Sequence, residues 1–236
     1  MARLKGSQST SELRREESRK NILRAALKLF FTKGYEKTTT RDIIMETGIL
    51  NGSLYNRFKS KDDILFNIIS DAIVGFLNGS EKLMIKENDP VKALMLPMAI
   101  ELYIASKSQN LADLIFQAHK SWDAIDRFIG FYRDWLKTVW TEHFHDRLDE
   151  EALRMGLTSI IGAVGNICGE YAHGYKGDYR EVMEGLLKVT VLVTGAPFFE
   201  VKKTVTELAD YVEHGDVRIC DYRISDLEQL CEGQTL

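Results

Sequence analysis

The sequence predicts an all-α protein, with a short three-helix unit followed by a larger helical domain. Three observations lead there. Apolar residues recur at intervals of three and four over most of the 236 positions. Only three prolines interrupt the chain, and proline is the residue that breaks helices most strongly. The charge is also divided. Residues 1–61 carry 14 Lys and Arg against 6 Asp and Glu, whereas the remainder carries 17 against 29. A basic head on an acidic body is expected where only the head meets a polyanion.

Bulk composition excludes several classes. At 44% apolar residues the chain can bury a sizeable core. No run of about 18 uncharged apolar residues suggests a membrane span. The start, MARLKGSQSTSELRREESRK, is basic but lacks an apolar segment, so it does not read as a secretory leader. Three cysteines, Cys168, Cys220 and Cys231, do not make a disulfide framework, and a cytoplasmic location is expected.

The elements follow in order. Residues 1–15 are polar, Ser-rich and basic and are expected to be a disordered arm. The first helix starts near Glu16, with Ile22, Ala26 and Phe30 on one stripe and Leu23 and Leu27 beside it. Gly34 suits its end, because glycine accepts the left-handed backbone. Thr39 or a neighbour caps a second helix, TRDIIMET, and Asp42 can accept backbone N–H groups near its start. Gly48 ends that helix. A turn of about three residues leads to a third, NGSLYNRF. Ser60 caps a fourth over about 61–86, with Asp62 and Asp63 in its first turn, where carboxylates suit the positive end of the helix dipole.

Six more helices are expected at about 90–107, 109–119, 122–145, 149–173, 179–195 and 197–213. The stops are Asn88–Pro90, Gly174, Pro197 and Gly215. The tail 216–236 shows polar turn-like spots and a short helix at SDLEQL. The predicted organisation is an arm at 1–15, a helix-turn-helix domain at 16–61, a helical ligand-binding and dimerisation domain at 62–215, and the tail.

The second and third helices, joined tightly at Gly48, form a helix-turn-helix. In that motif the second helix enters the DNA major groove and its first half reaches base edges. Gly52 and Ser53 are small enough for close approach. Asn51, Ser53 and Asn56 carry short donors and acceptors for bases or phosphates. Tyr55 offers a hydroxyl to a phosphate and a ring to sugar or a thymine methyl. Lys59 and Lys61 flank the backbone, as do Thr39, Thr40 and Arg41 at the start of the preceding helix, and Arg57 adds a further phosphate contact. Leu54 and Phe58, four apart, face inward toward Ile43, Ile44 and the first helix.

These residues resemble the TetR-type transcriptional regulators. That family's signature is roughly T-x-x-x-I-A-x-x-A-G-V-S-x-G-x-L-Y-x-H-F-x-x-K-x-x-L. Thr39, Ile43, Gly48, Gly52, Leu54, Tyr55, Phe58, Lys61 and Leu65 stand at matching positions, with Gly34-Tyr35 upstream. Ile49 replaces the usual valine. Ile44 and Thr47 stand where alanines are common, Leu50 where a serine usually caps the recognition helix, and Arg57 where histidine is common. The resemblance covers about residues 16–70. It implies an all-helical homodimer that binds a duplex operator and is usually a repressor released by a small-molecule effector. Activators and constitutive DNA-binding proteins remain the alternatives.

The resemblance also implies a ligand cavity in the larger domain. Met95, Met98, Tyr103, Phe116, His119, Trp122, Phe131 and Trp135 are its candidate lining, which favours an apolar or aromatic effector. Ordinary core packing is the competing reading for each. The small residues of the eighth helix, among them Gly156, Gly162, Gly165 and Gly169, allow a close helix–helix contact. The dimer is expected through helices eight to ten, and packing within one subunit is the alternative. No metal is expected: in EHFHD, His143 and His145 are two apart and point to different helix faces. No cofactor is expected either. No nucleophile–base set or phosphate loop appears, so an enzyme is not expected.

Overall fold

The computed structural model describes residues 10–87, 89–143, 149–194, 200–227 and 229. Its described elements are helices and one small hairpin. Helix α1 (Thr10–Lys33) begins six residues before the expected start, so residues 10–15 of the supposed arm are helical. Glu12 lies in the first turn, and the following Leu, Arg and Glu residues are good helix formers. Residues 1–9, with Arg3 and Lys5, lie outside the described residues. Ile22, Leu23, Ala26, Leu27 and Phe30 of α1 are buried as their spacing requires. Gly34 closes the helix with φ +87°, a conformation only glycine adopts freely.

Helix α2 (Thr40–Thr47) is capped by Thr39, whose hydroxyl accepts from the Asp42 backbone N–H at 3.2 Å. The Asp42 carboxylate accepts in return from the Thr39 N–H at 2.7 Å. Gly48, at φ +67°, turns the chain into α3 (Asn51–Tyr55). Leu50 occupies the cap position of α3 and supplies no side-chain bond. Helix α3 stops three residues short of the predicted end. The Arg57 N–H bonds the Leu54 carbonyl, an i→i+3 contact that tightens the last turn, and the next helix starts at once. That helix, α4 (Lys61–Glu87), is capped by Ser60, whose hydroxyl accepts from the Asp63 N–H at 3.1 Å.

Helices α5 (Pro90–Lys107), α6 (Gln109–His119), α7 (Trp122–His143), α8 (Glu150–Ala172), α9 (Tyr179–Thr194) and α10 (Val201–His214) build the body. Helix α10 starts four residues after the predicted position, and Pro197 falls outside the described residues. Helix α4 links the two parts, packing on α1 at one end and on α5 and α7 beyond. Helix α5 lies at the centre, against α4, α6, α8, α9 and α10. One apolar cluster runs unbroken from Ile22 to Leu227. Helix α8 is long and apolar enough to span a membrane by length and composition, but it packs on α5, α6, α7 and α9 as a core helix.

Two expectations change here. Gly165 and Gly169 of α8 serve packing inside the subunit. A Cβ on Gly165 would lie 2.5 Å from the His119 Cβ, and one on Gly169 would lie 3.0 Å from the Phe116 ring. Both neighbours belong to α6, so these glycines set the α6–α8 approach. The tail, in turn, folds back. Strands β1 (Arg218–Ile219) and β2 (Tyr222–Arg223) form a hairpin with Ile219 opposite Tyr222, and a 3-10 turn Ile224–Asp226 follows at the start of SDLEQL. Val217, Ile219, Ile224 and Leu227 are buried, and β1 lies on α4. Their apolar side chains dock a segment that looked polar overall. An ion pair between Arg24 and Asp221 ties the hairpin to α1. Burial pushes the Cys220 thiol up to about 12, with Asp71 and Asp221 adding to it, and Cys231 lies outside the described residues.

Candidate nucleic-acid interface

The outer surface of α2 and α3 holds side chains that packing does not explain. Met45, Leu50 and Tyr55 are 74%, 79% and 48% exposed. Leaving large apolar groups in water forgoes burial worth about 1.5–3 kcal/mol each, so these three make a candidate contact surface. Thr39, Arg41, Asn51, Gly52, Asn56 and Lys59 are exposed on the same part of the chain, and Thr40 and Ser53 are half-buried. A Cβ built on Gly52 would meet nothing within 4 Å, so no contact inside the chain calls for glycine there. The Thr40 and Tyr55 hydroxyls lie 3.1 Å apart, joining the start of α2 to the end of α3. The inward face carries Ile43, Leu54 and Phe58, all buried.

Charge supports the start of α2. Lys33 pairs with Asp42 at 2.8 Å. That bond, with the two from Thr39, holds the Asp42 carboxyl well below the usual carboxylate range. Lys28 reaches Glu46 at 2.7 Å and ties α1 to α2. Both pairs tie α2 to α1.

Two predicted phosphate contacts have partners inside the chain. Lys61 donates to the Tyr35 carbonyl at 2.8 Å and lies 4.1 Å from the centre of its ring. The Tyr35 hydroxyl donates to Asp62, and burial first, then Asp62, raises the Tyr35 pKa. Lys61, Tyr35 and Asp62 thus latch the α1–α2 loop to α4. Arg57 folds back, its Nη1 donating to the Ser53 carbonyl at 2.9 Å while its Nε is buried without a partner.

The candidate ligand residues divide. Met95, Met98 and Tyr103 are buried, Phe116, His119, Phe131 and Trp135 are half-buried, and Trp122 is 61% exposed. Met98 and His119 share a void among Ile73, Glu101, Phe128, Tyr132, Ile161 and Val164. Phe116 packs on α8 and on His173, and Tyr103 sits against Tyr179. Glu101 is a residue the sequence reading passed over. It is the one charged side chain between Lys92 and Lys107 in the run ALMLPMAIELYIA, and that isolation was the available signal. Trp140 and EHFHD lie where side chains are not described. Among the described residues no three His, Cys, Asp or Glu side chains gather to hold a metal ion.

Comparisons with known proteins agree on the head. The family model of bacterial regulatory proteins of the tetR family matches residues 22–68. The HTH-type transcriptional repressor KstR2 of Mycolicibacterium smegmatis is 32% identical over 76 residues, which is 32% of this chain and 37% of that protein. The HTH-type transcriptional regulator HbdR of Aromatoleum sp. is 41% identical over 58 residues, 25% of each chain. The matches therefore span well under half the length of these relatives. A crystal structure from Syntrophomonas wolfei, described as a TetR-family transcriptional regulator, superposes with a TM-score of 0.54 at 21% identity. It covers 78% of this chain and 99% of its own, which extends the likeness in fold to the helical body.

Proposed function

We propose that this chain, whose head is that of a TetR-type regulator, is a cytoplasmic, ligand-responsive repressor that binds a near-palindromic operator as a homodimer. The α2–α3 face carries the reading: small, polar and apolar side chains, most of them exposed, stand where a duplex would dock, with open space beside Gly52. Asn51, Ser53 and Asn56 reach base edges, Gly52 lets the backbone approach, and Tyr55, Thr39, Thr40, Arg41 and Lys59 take phosphates or sugars. Lys61 and Arg57 hold the unit in shape.

Dimerisation follows from the energetics of reading. One short helix reads few base pairs, and each mismatch is worth about 1–3 kcal/mol. Two recognition helices about 34 Å apart fit successive turns of one groove. The outer faces of α8 and α9 suit the dimer contact. Gly162 and Gly185 would seat a Cβ in open space, and Met155 and Val189 are exposed nearby in sequence. A ligand that favours the wrong spacing releases DNA if it binds that state more tightly by roughly 1–3 kcal/mol or more.

Selection from random duplexes tests this reading. The winner should be palindromic, and its binding should weaken steeply with salt as counterions are released. Arg41→Ala should lower the salt slope by about one, and Tyr55→Phe should weaken binding across sequences. Unchanged binding in both variants overturns the interface. The close packing of the body favours a second reading, a constitutive DNA-binding protein. It parts from the first on whether any small molecule changes affinity for the selected duplex.

A further inference from the structure

We infer that Leu50 reads the methyl group of a thymine in the major groove, and so fixes one position of each operator half-site by an apolar contact. This deepens the duplex-binding reading above and rests on it.

Of the large apolar side chains that are exposed among the described residues, Leu50 at 79% and Met45 at 74% are the most open. They stand on either side of the turn at Gly48. The inward place at that turn is taken by a neighbour. Ile49 is half-buried and packs against the core, while Leu50 stays outside. Leu50 also occupies the cap position of α3, with φ −71° and ψ 145°, and its carbonyl accepts from the Ser53 N–H at 2.9 Å. Serine, threonine, aspartate or asparagine is preferred at such a position, because its side chain can accept a further backbone N–H. Leucine supplies no such bond. Residue 50 therefore gives the folded chain neither a buried side chain nor a cap. A contact beyond the chain would offset both.

Position points to the partner in that contact. Leu50 immediately precedes Asn51, the first residue of α3, and Asn51 and Gly52 are exposed with it. In a helix-turn-helix the first residues of the second helix face base edges, whereas the first helix crosses the sugar–phosphate backbone. Met45, on α2, belongs with the backbone, and Leu50 with the bases. Charge is kept away from this point. Residues 47–56 carry none, and the exposed cations Arg41 and Lys59 lie to either side of that run. Arg57, just beyond it, is folded back on the Ser53 carbonyl.

Chemistry then selects the base. The leucine side chain has no donor or acceptor to pair with a base edge. The one apolar group that the major groove presents is the methyl of thymine, and the other edges there offer donors or acceptors. Over a cytosine amino group or a purine nitrogen, Leu50 would cover a polar atom and return no hydrogen bond. Over a thymine methyl it removes two apolar surfaces from water together. One buried methyl is worth about fourfold in affinity, so a symmetric pair of contacts gives about fifteenfold.

The experiment replaces each thymine of the selected duplex by deoxyuridine, one position at a time in both half-sites. Deoxyuridine keeps the base pairing and loses only the methyl. Binding is measured with the parent, Leu50→Ala and Met45→Ala. At one thymine the replacement should weaken the parent about fifteenfold, and Met45→Ala alike, but Leu50→Ala by less than about twofold. Leu50→Ser, measured without DNA, should unfold at the same or a higher urea concentration than the parent, because serine gives α3 the missing cap. Lower stability of that variant would mean that Leu50 packs within the chain, and overturns the assignment. So does a selected site in which no thymine responds to loss of its methyl, a methyl effect that survives Leu50→Ala, or one that Met45→Ala abolishes as well. Steep salt dependence without methyl dependence keeps the duplex-binding reading and rejects this one. No affinity for any duplex rejects both.

Discussion

Gly52 in α3 and Gly165 in α8 are both helical glycines, and the molecule uses them for opposite reasons. A Cβ at Gly52 would stand in open space, while one at Gly165 would lie 2.5 Å from the His119 Cβ. The contrast extends to their surroundings. Met45, Leu50 and Tyr55 are large and exposed on the head, whereas Glu101 is buried in the apolar interior of the body. What is unusual about the head faces outward and calls for a partner beyond the chain. What is unusual about the body faces inward and is explained by the chain itself.

The same substitution at the two glycines separates these uses. Gly165→Ala should destabilise the protein by about 1–3 kcal/mol, because the clash falls on a Cβ that cannot swing aside. Urea unfolding would measure it, and parent-like stability would mean that α6 and α8 are not in close contact. Gly52→Ala should instead leave stability unchanged or raise it by up to about 1 kcal/mol through helix propensity. Its cost should appear on DNA, as about a tenfold or greater loss of affinity when a methyl intrudes on the duplex. If Gly52→Ala bound DNA like the parent, the outward face of α3 would not be the reading face. A smaller effect follows from the cap. Thr39→Ala removes the hydroxyl that accepts from the Asp42 N–H and should cost about 1 kcal/mol. Thr39→Ser should recover most of it.

How much of this was legible in the sequence depended on whether the signal was local. Helix α2 was read at its observed bounds because its stop, Gly48, and its cap, Thr39, lie within a few residues of it. Helices α5 and α6 were read equally well from the break at Asn88–Pro90, and the structure adds the caps Asp89 and Ser108. The start of α1 was missed because a Ser- and Arg-rich segment has the composition of disorder, although Glu12 and the following helix formers carry it. The docked hairpin was missed for a different reason. Cys220 and Asp221 both adopt positive φ, of 47° and 73°, in a turn where glycine or asparagine is the usual signal. Its anchors, Arg24 and the apolar face of α4, are some 150–200 positions away in sequence. The candidate interface was legible because groove-reading residues are neighbours on one short helix. Lys61 and Arg57 looked like phosphate ligands by type alone. Only the fold could show Tyr35 beneath one and the Ser53 carbonyl beside the other. The void beside Glu101 needs several helices to meet, and spacing along one chain cannot report that.

The smallest effect bears on how the head is held ready for its partner. Asp42 is half-buried, and its carboxyl lies well below its ordinary value near 3.8, first through Lys33 and then through the two bonds from Thr39. A depressed folded-state pKa contributes stability that is complete above the ordinary value. It fades as pH falls from there toward the depressed one, where the folded carboxylate also takes up its proton. Asp42→Asn keeps an acceptor for the Thr39 N–H but loses the charge that Lys33 meets. The variant should therefore unfold at a lower urea concentration than the parent, by the same margin at pH 7 and pH 5. The margin should narrow from about pH 4 downward, because protonation then removes from the parent what the substitution has already removed from the variant. Other carboxylates titrate alike in both proteins and cancel in the difference. A margin that stays constant into acid would mean that Lys33 and Asp42 merely lie near one another in the folded chain. The angle between α1 and α2, and with it the presentation of α3, would then rest on the apolar contacts of Ile43 and Leu54 and on the Lys28–Glu46 pair.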